Sequence, residues 1–334
     1  MTGLLAKGFS SRLAANLSAS AIVRSLIGHL SGSYSMFVMP LLRAGESLRY
    51  KGLAVFPLFG SETRVPTYLL SEQALAGGQA VVEEASEGGS VPNLIVTVLG
   101  DKPVLFLEGE ELRGAKQNRV LNTSVLVAAS TKTPIPVSCV EQGRWRYTSR
   151  HFGSAGTHAS SKMRRVLKET VSKSSREGRG HSSDQGAVWT EVARQMSSLG
   201  STSATSAMSD TYDTYQSQVS EYQSHLPYVP GAIGMAVAVG NAIVTLDLFE
   251  APEVCQMAWP RLLSGTILDA VEERCTAGNP NLADALAAFE ADWQQVPAVG
   301  IGEEFRADRV NGKWHGSVLA NEGRIIHGSL VLAI

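Results

Sequence analysis

The sequence has few of the residues that build disulfide frameworks or metal sites. Its three cysteines, Cys139, Cys255 and Cys275, are an odd number without a CxxC pair, which argues against disulfides and is typical of a reducing compartment. The seven histidines show neither HExxH nor HxH spacing. His181 and Asp184, three positions apart, give only a weak metal signal, so we predict no metal site.

Long hydrophobic runs are also absent. The most apolar stretch, residues 232–249 (AIGMAVAVGNAIVTLDLF), is interrupted by Gly240, Asn241 and Asp247 and does not reach the roughly 18 continuous apolar residues that a membrane-spanning helix needs. Hydrophobic residues make up 44% of the chain, enough for a substantial core. We therefore expect a soluble globular protein that is located in the cytoplasm and has no membrane partner.

Acidic residues are missing from the first 45 positions, which contain four basic side chains and eight serines. This composition is typical of a transit peptide. A basic tail, or a wrongly assigned start codon ahead of a cytoplasmic domain, would give the same composition. We predict that residues 1–35 are a flexible N-terminal extension, either a tail or an organellar targeting segment, and that residues 36–334 form a single domain.

Charge is unevenly distributed although the net charge is only −2. Residues 111–183 carry 14 basic and four acidic side chains, whereas residues 184–334 carry seven and 18. A basic block on one surface attracts phosphate groups; alternatively, the acidic half neutralises it across an internal interface or across a homo-oligomer contact. We expect no nucleic-acid partner, because the whole chain is not basic and has no nucleic-acid motif.

The pattern of hydrophobic residues predicts the secondary structure. Runs rich in β-branched residues and bounded by Gly or Pro predict strands at residues 53–59, 79–85, 93–100, 102–109, 119–129 and 135–145. Helical periodicity follows at residues 161–171, 184–199, 205–225, 252–275 and 281–293. A hairpin around Gly240 and Asn241 and three late strands complete the chain, at residues 298–307, 314–320 and 323–333.

This order of elements predicts an α+β fold. Short connections favour a largely antiparallel β-sheet core, with a helical segment inserted in the middle and C-terminal strands returning to the sheet. Residues 149–183 are rich in Ser, Gly and basic side chains. Apart from the helix within them, we interpret these residues as a mobile basic excursion that a ligand orders.

The segment GEELRGAKQNRVLNTSVLV (residues 109–127) concentrates polar side chains beside a strand. If residues 102–109 and 119–129 are neighbouring strands, the connection presents six candidate site residues together: Glu110, Arg113, Lys116, Gln117, Asn118 and Arg119. Arg can grip a phosphate with two parallel hydrogen bonds, Lys adds a point charge, and an amide can bind a sugar hydroxyl. Internal ion pairs between Glu108 or Glu110 and Arg119 are the alternative.

The next predicted strand supplies a candidate base. Glu141 would act as a general base if a pocket of low dielectric raises its pKa, with Lys116 or Arg119 stabilising the developing negative charge. Lys116 and Glu110 complete the predicted catalytic set. Cys139, on the same strand face, is either a thiolate nucleophile or an inert buried thiol.

Further ligand-binding candidates surround these residues. Arg144 would hold an anion, and Trp145 would stack on a base unless it belongs to the core. Gln185 is a further ligand-binding candidate. Asp247 follows a strand and would point into a cleft or, alternatively, cap a helix. No P-loop, GxGxxG, GxSxG or DxD motif is found, so the sequence identifies no cofactor.

Five blocks in order carry a family resemblance: LEGEELRGAKQNRVLNTSVLV, IPVSCVEQGRW, DQGAVW, LPYVPGAIGMAVAV and LDLFE. In these blocks the chain from about Ser47 onward resembles the ADP-ribosylglycohydrolase- and rhodanese-phosphatase-associated protein domain of the first type, a bacterial family. The positions that match the family pattern are Glu110, Gly114, Lys116, Gln117, Asn118, Arg119, Cys139, Glu141, Gly143, Arg144, Trp145, Gln185 and Asp247. The resemblance implies a link to ADP-ribose and NAD-derived metabolism and assigns no role to any of these residues.

Three functional hypotheses follow. The first is a hydrolase acting on ADP-ribose or a related phosphorylated nucleotide-sugar conjugate, with Glu141 as base and Lys116, Arg119 and Arg144 holding the anion. The second is a non-catalytic sensor or binding module for the same small phosphorylated ligand. The third is an oligomeric scaffold in which the basic segment of one copy contacts the acidic segment of another.

Overall fold

The computed structural model describes residues 37–61, 64–86, 88 and 92–333, so the predicted N-terminal extension lies outside the described residues. The strands of the described chain are β1 (Arg43–Ala44), β2 (Leu48–Tyr50), β3 (Leu53–Phe59), β4 (Leu69–Leu70), β5 (Ala80–Glu84), β6 (Asn93–Val98), β7 (Val104–Phe106), β8 (Glu110–Gly114), β9 (Arg119–Leu121), β10 (Val125–Val127), β11 (Lys132–Cys139), β12 (Phe152–His158), β13 (Gly234–Val239), β14 (Ala242–Phe249), β15 (Gln294–Val296), β16 (Glu303–Val310), β17 (Trp314–Asn321) and β18 (Arg324–Leu332). The helices are α1 (Ser71–Ala76), α2 (Ser161–Arg176), α3 (Gln185–Leu199), α4 (Met208–Thr214), α5 (Gln216–His225), α6 (Pro252–Glu273) and α7 (Leu282–Ala287), followed by a 3-10 turn (Ala288–Glu290).

Two antiparallel β-structures dominate the fold. A nine-stranded sheet runs in the order β1-β3-β13-β14-β18-β17-β16-β15, with β2 also paired to β3. Strands β11-β6-β5-β12-β8-β9 close into a barrel, and β10, β7 and β4 form a small third sheet. The predicted α+β fold is confirmed, because helices α2 to α5 lie between β12 and β13 and the C-terminal strands return to the large sheet.

Each β-structure has its own apolar core. Helix α6 packs against one face of the large sheet through side chains such as Trp259 and Leu263, and Phe289 and Trp293 cover the other face. Burying such large side chains stabilises a fold by roughly 1.5–3 kcal/mol each. A separate cluster that includes Phe106 belongs to the barrel and the small sheet. In the described part of the chain, no helix is long and apolar enough to cross a membrane.

The predicted strand at residues 119–129 is wrong as a single element. It divides into β9, which belongs to the barrel, and β10, which belongs to the small sheet. The break falls at polar residues that bond elsewhere: Asn122 donates to the carbonyl of His181 (2.9 Å), and Thr123 donates to Glu304 (3.0 Å). Residues 110–114, predicted as a connection, form the strand β8.

Residues 149–183, which we predicted to be a mobile excursion, contain a strand and a helix. Strand β12 joins the barrel, and helix α2 extends the predicted helix to Arg176. Ser160 caps α2 by accepting a hydrogen bond from the backbone N–H of Met163 (3.3 Å). Lys168 of α2 is fully buried because its face of the helix packs against the large sheet, where it donates to Ser317. Leu167 is fully buried in a separate apolar cluster with Val188 and Val192.

Candidate functional site

A tight hairpin carries six of the eleven predicted site residues. Strands β8 and β9 pair antiparallel, and residues 115–118 connect them. Gly114 has a φ of +132°, and a Cβ there would lie 2.6 Å from the hydroxyl oxygen of Ser149. Glycine therefore allows residues 148–151 to approach this turn closely.

Arg144 joins the hairpin loop to the end of β11. Its guanidinium group donates to both carboxylate oxygens of Glu141 (2.7 and 2.6 Å), to the carbonyl of Ala115 (2.7 Å) and to the side-chain oxygen of Asn118 (3.1 Å). It also donates to the hydroxyl of Thr148 (3.1 Å). These internal acceptors occupy the guanidinium group, so Arg144 holds the loops together. Its role as an anion holder stays a prediction.

The carboxylate of Glu141 also has several hydrogen-bond partners. Besides the contacts with Arg144, its carboxylate accepts hydrogen bonds from the backbone N–H of Asn118 (3.0 Å) and the hydroxyl of Thr205 (2.8 Å). Burial acts to raise the pKa of Glu141, but these hydrogen bonds outweigh it, and the pKa lies below its usual value. This geometry opposes the predicted role of Glu141 as a general base with a raised pKa.

Lys116 lies between two aromatic rings. Its ammonium nitrogen is 5.5 Å from the ring centroid of Trp145 and 5.1 Å from that of Tyr147, distances typical of cation–π contacts. Trp145 and Tyr147 are 49% and 50% exposed, so Trp145 is not a core residue. Residues 145–151 are all exposed and contain Arg146 and Arg150; we call them the aromatic-basic segment.

Arg119 is fully buried beneath this surface. Its guanidinium carbon is 5.7 Å from the centroid of Trp145, and one of its nitrogens donates to Gln117 (2.9 Å) and to the thiol of Cys139 (3.0 Å). A second nitrogen is 3.7 Å from a carboxylate oxygen of Glu84. The ion pair expected between Arg119 and Glu108 or Glu110 is therefore made with a different acid.

The remaining polar groups of the hairpin loop bond to neighbouring loops and helices. Gln117 donates to the carbonyl of Glu141 (2.7 Å), and Asn118 donates to Ser209 (3.1 Å). Arg113 donates to the backbone of Ser209 and pairs with Asp213 (2.9 Å). The predicted group thus lies together, largely in mutual contacts.

Cys139 and Gln185 are joined by two hydrogen bonds. Gln185 accepts from the backbone N–H of Cys139 and donates to its carbonyl, both at 2.8 Å, which fixes the start of α3 against the end of β11. Burial raises the pKa of the Cys139 thiol, and the nearby Glu84 adds to this rise while Arg119 opposes it. The raised pKa favours the inert thiol over the nucleophile.

Glu110 and Asp247, also predicted for this site, lie in other buried contacts. Glu110 is the first residue of β8 and pairs with Arg261 of α6 (3.0 Å). Asp247 forms a two-point ion pair with Arg164 (2.6 and 2.9 Å). Both carboxylates are almost fully buried, so Glu110 does not project from a loop and Asp247 neither faces an open cleft nor caps a helix.

A row of polar side chains, which we did not predict from the sequence, crosses the large sheet beneath α2. In neighbouring strands, Asp247 is opposite Ser329, Ser329 is opposite Ser317, and Ser317 is opposite Arg306. All four side chains are buried. Side chains four residues apart on α2 can reach neighbouring strands of this row, because a helix rises about 6 Å per four residues and strands are roughly 4.8 Å apart.

Side chains four residues apart on α2 match this row. Arg164 donates to Ser329 (2.6 Å) as well as to Asp247, and Lys168 donates to Ser317 (2.6 Å). Lys168 also pairs with Glu108 (2.8 Å). Burial lowers the pKa of Lys168 to about 8, although Glu108 opposes this shift.

A hydrogen-bonded chain of Ser124, His327 and Asp247 adjoins the row. The Ser124 hydroxyl lies 2.7 Å from Nδ1 of His327, and Nε2 of His327 lies 3.2 Å from Asp247. Ser124 is 4% exposed and also accepts from the backbone N–H of Glu108. The three residue types are those of a hydrolase triad, but the Ser124 hydroxyl is buried. We therefore interpret these hydrogen bonds as a structural network. Among the described residues, no group of three or more His, Cys, Asp and Glu side chains is placed to hold a metal ion.

The match to a protein family covers nearly the whole described chain. The model of the ARG and Rhodanese-Phosphatase-superfamily-associated Protein domain, ARPP-1, matches residues 41–331. The chain belongs to the ARPP-1 family. This name associates ARPP-1 domains with ARG, the ADP-ribosylglycohydrolases, and with rhodanese-phosphatase proteins. No curated protein and no solved structure matches the chain.

Proposed function

We propose that this ARPP-1 domain is a binding module for a phosphorylated nucleotide ligand of the ADP-ribose type. The observation that carries the proposal is the position of Lys116, whose ammonium group lies within 5.5 Å of the ring centroids of both Trp145 and Tyr147. Each of these two aromatic residues keeps about half of its surface exposed. A cation between two accessible aromatic side chains suits a ligand that combines a planar base with negative charge.

The aromatic-basic segment supplies both kinds of contact. A nucleotide base stacked on an aromatic side chain gains roughly 1–3 kcal/mol, and Trp145 and Tyr147 offer exposed rings. Arg146 and Arg150 are exposed in the same segment, and a guanidinium group can bind a phosphate with two parallel hydrogen bonds.

The segment is also held in place before a ligand arrives. Arg144 donates to the carbonyl of Arg146 (3.0 Å), and the backbone N–H of Thr148 donates to the carbonyl of Ala115 (3.0 Å). Ser149 accepts from the N–H of Ala115 (2.9 Å). Binding to a fixed surface avoids much of the entropy cost of ordering a loop.

ADP-ribose is our preferred ligand because its parts match these groups and because the family name refers to ADP-ribosylglycohydrolases. Its adenine suits the rings, and its pyrophosphate suits the cations. We favour binding without turnover, because Glu141 has a lowered pKa and is paired with Arg144. Both features oppose a role of Glu141 as a general base. Hydrolysis of the ligand is the second outcome that the following experiment distinguishes.

The test is calorimetric titration of the full chain with ADP-ribose. We expect saturable binding that Trp145→Ala weakens by about 5- to 100-fold, the equivalent of one lost stacking contact. Arg146→Ala should also weaken binding, whereas Lys102→Ala, at an exposed position in another loop, should not. Chromatography of the titrated ligand then separates a sensor, which returns ADP-ribose intact, from a hydrolase.

Two results would refute the proposed surface. One is the absence of saturable binding to ADP-ribose. The other is binding that Trp145→Ala and Arg146→Ala leave unchanged while circular dichroism shows both variants folded.

A further inference from the structure

A cavity of about 300 Å³ lies between the start of α2, the end of α6 and the β13–β14 hairpin. Its lining residues play no part in the surface proposed above. Val239, Val244 and Leu332 give it apolar walls, and Arg165 and Asp269 bring polar groups to it. Small-molecule sites combine apolar walls and a few polar groups in this way, and this volume is at the lower end of their range.

Asp269 has an unsatisfied oxygen although the residue is only 2% exposed. Its Oδ2 atom accepts a hydrogen bond from the backbone N–H of Ser161 (2.8 Å), whereas Oδ1 has no hydrogen-bond partner within the described part of the chain. Burial raises the pKa of Asp269 to about 6, although Ser161 opposes the shift. A buried acceptor left unpaired costs stability, and a ligand donor would remove that cost.

The two basic side chains beside the cavity, Lys162 and Arg165, differ in their ion pairs. Lys162 pairs with Glu273 (2.8 Å) and with Glu272 (3.3 Å), so acidic side chains already neutralise it. Arg165, one turn further along α2, also lines the cavity and is partly exposed. Arg165 is therefore the group best placed to receive an anion.

We propose that this cavity binds a small organic acid with a hydrogen-bond donor next to its carboxylate and an apolar tail. The donor, an ammonium or hydroxyl group, bonds to Oδ1 of Asp269, and the carboxylate pairs with Arg165. The tail packs against Val239, Val244 and Leu332. Amino acids and 2-hydroxy acids share this chemistry.

Cys275 provides a readout of occupancy because this residue lines the cavity and is partly exposed. Cys139 and Cys255 are 1% and 0% exposed, so alkylation of the folded chain by iodoacetamide should modify Cys275 first. The rate of this modification, followed by mass spectrometry, is measured against increasing concentrations of three matched probes: phenylalanine, phenyllactate and 3-phenylpropionate. They differ only in carrying an ammonium group, a hydroxyl group or hydrogen at the same carbon.

We expect phenylalanine or phenyllactate to protect Cys275, and whichever does so identifies the donor. Phenylpropionate should need an about tenfold higher concentration or more, because it cannot bond to Asp269. Asp269→Asn should remove the advantage of phenylalanine, since the amide can still accept from Ser161 but presents an NH₂ group, which cannot accept from an ammonium group. Phenyllactate can keep its advantage, because its hydroxyl accepts from that NH₂ group. Arg165→Met, at a partly exposed position, should weaken the binding of every probe about tenfold. This variant tests the proposal even if Asp269→Asn does not fold.

The proposal is overturned if none of the three probes protects Cys275. It is equally overturned if phenylpropionate protects as well as the other two, or if a folded Arg165→Met variant binds all three as tightly as the parent chain.

Discussion

Arg144 and Glu141 form a buried two-point ion pair in which Nε and Nη2 of the arginine lie 2.7 and 2.6 Å from the two carboxylate oxygens. Each side chain is 6% exposed. The same guanidinium group reaches Ala115, and the same carboxylate reaches Asn118. The pair therefore connects the β8–β9 loop to the end of β11 and supports the aromatic-basic segment from below.

Breaking this pair should destabilise the chain. Removal of one partner leaves a buried charge without compensation, which typically costs about 3–5 kcal/mol. We expect Glu141→Gln and Arg144→Met each to lower the free energy of unfolding in urea by about 3 kcal/mol or more. Arg146→Met, at an exposed neighbouring position, should change it by less than about 0.5 kcal/mol.

The double variant tests whether the cost comes from the pair itself. If it does, Glu141→Gln combined with Arg144→Met loses less stability than the sum of the two single losses. Strictly additive losses would contradict a coupled pair.

Glu111 should make stability depend on pH. Burial raises its pKa from 4.5 to about 7, although Arg113 and a hydrogen bond from Thr157 (2.9 Å) oppose the shift. Because the folded chain holds this proton more tightly than the unfolded chain, the contribution is fully present below about pH 4.5 and is lost as pH rises through 7. It amounts to about 3 kcal/mol at most.

Glu111→Gln should remove this dependence. Urea denaturation of the parent chain and the variant at several pH values between 4.5 and 8 provides the comparison. Glu83→Gln, at a partly exposed position, is the matched control and should leave the slope unchanged. Equal slopes for the parent chain and Glu111→Gln would contradict the raised pKa.

The local pattern of hydrophobic residues was sufficient to predict many elements of the fold. Strand β3 occupies the predicted residues 53–59, and α3 begins one residue after the predicted start and ends at the predicted residue 199. Residues 119–129 misled the prediction because their β-branched pattern is continuous. Hydrogen bonds from Asn122 and Thr123 to distant residues decide where the strand breaks.

The burial of α2 could not be predicted from its own composition. Arg164 and Lys168 have the charges of a solvated helix face, and their acidic partners Asp247 and Glu108 are 83 and 60 positions away. Spacing along the chain did place Gln117 and Asn118 near Glu141, since adjoining strand ends carry them. It could not indicate that Arg144 takes up the carboxylate, because that requires side-chain geometry.

Gly143 should tolerate no larger residue. A Cβ there would lie 2.9 Å from the Cα atom of Thr205, whose hydroxyl donates to Glu141 (2.8 Å). We expect Gly143→Ala to push Thr205 away and to lower thermal or urea stability by about 1–3 kcal/mol. Gly153→Ala is the control, since nothing lies within 4 Å of its Cβ position; a similar loss in both variants would contradict the steric cause.

Binding of ADP-ribose at the aromatic-basic segment should weaken with salt. Raising the salt concentration from about 0.01 M to about 1 M shortens the screening length from about 30 Å to about 3 Å. If Arg146 and Arg150 hold the pyrophosphate, the Kd of ADP-ribose rises several-fold over this range, whereas that of adenosine, which stacks without a phosphate, changes little.

Variants connect this salt dependence to particular side chains. Arg150→Gln should flatten the salt dependence of ADP-ribose binding, because one charge contact is lost, and should leave adenosine binding unchanged. Lys102→Gln removes an equal charge from another loop and should keep the slope of the parent chain. If Arg150→Gln and Lys102→Gln alter the slope equally, the general charge of the chain attracts the ligand, and the aromatic-basic segment does not hold its phosphates.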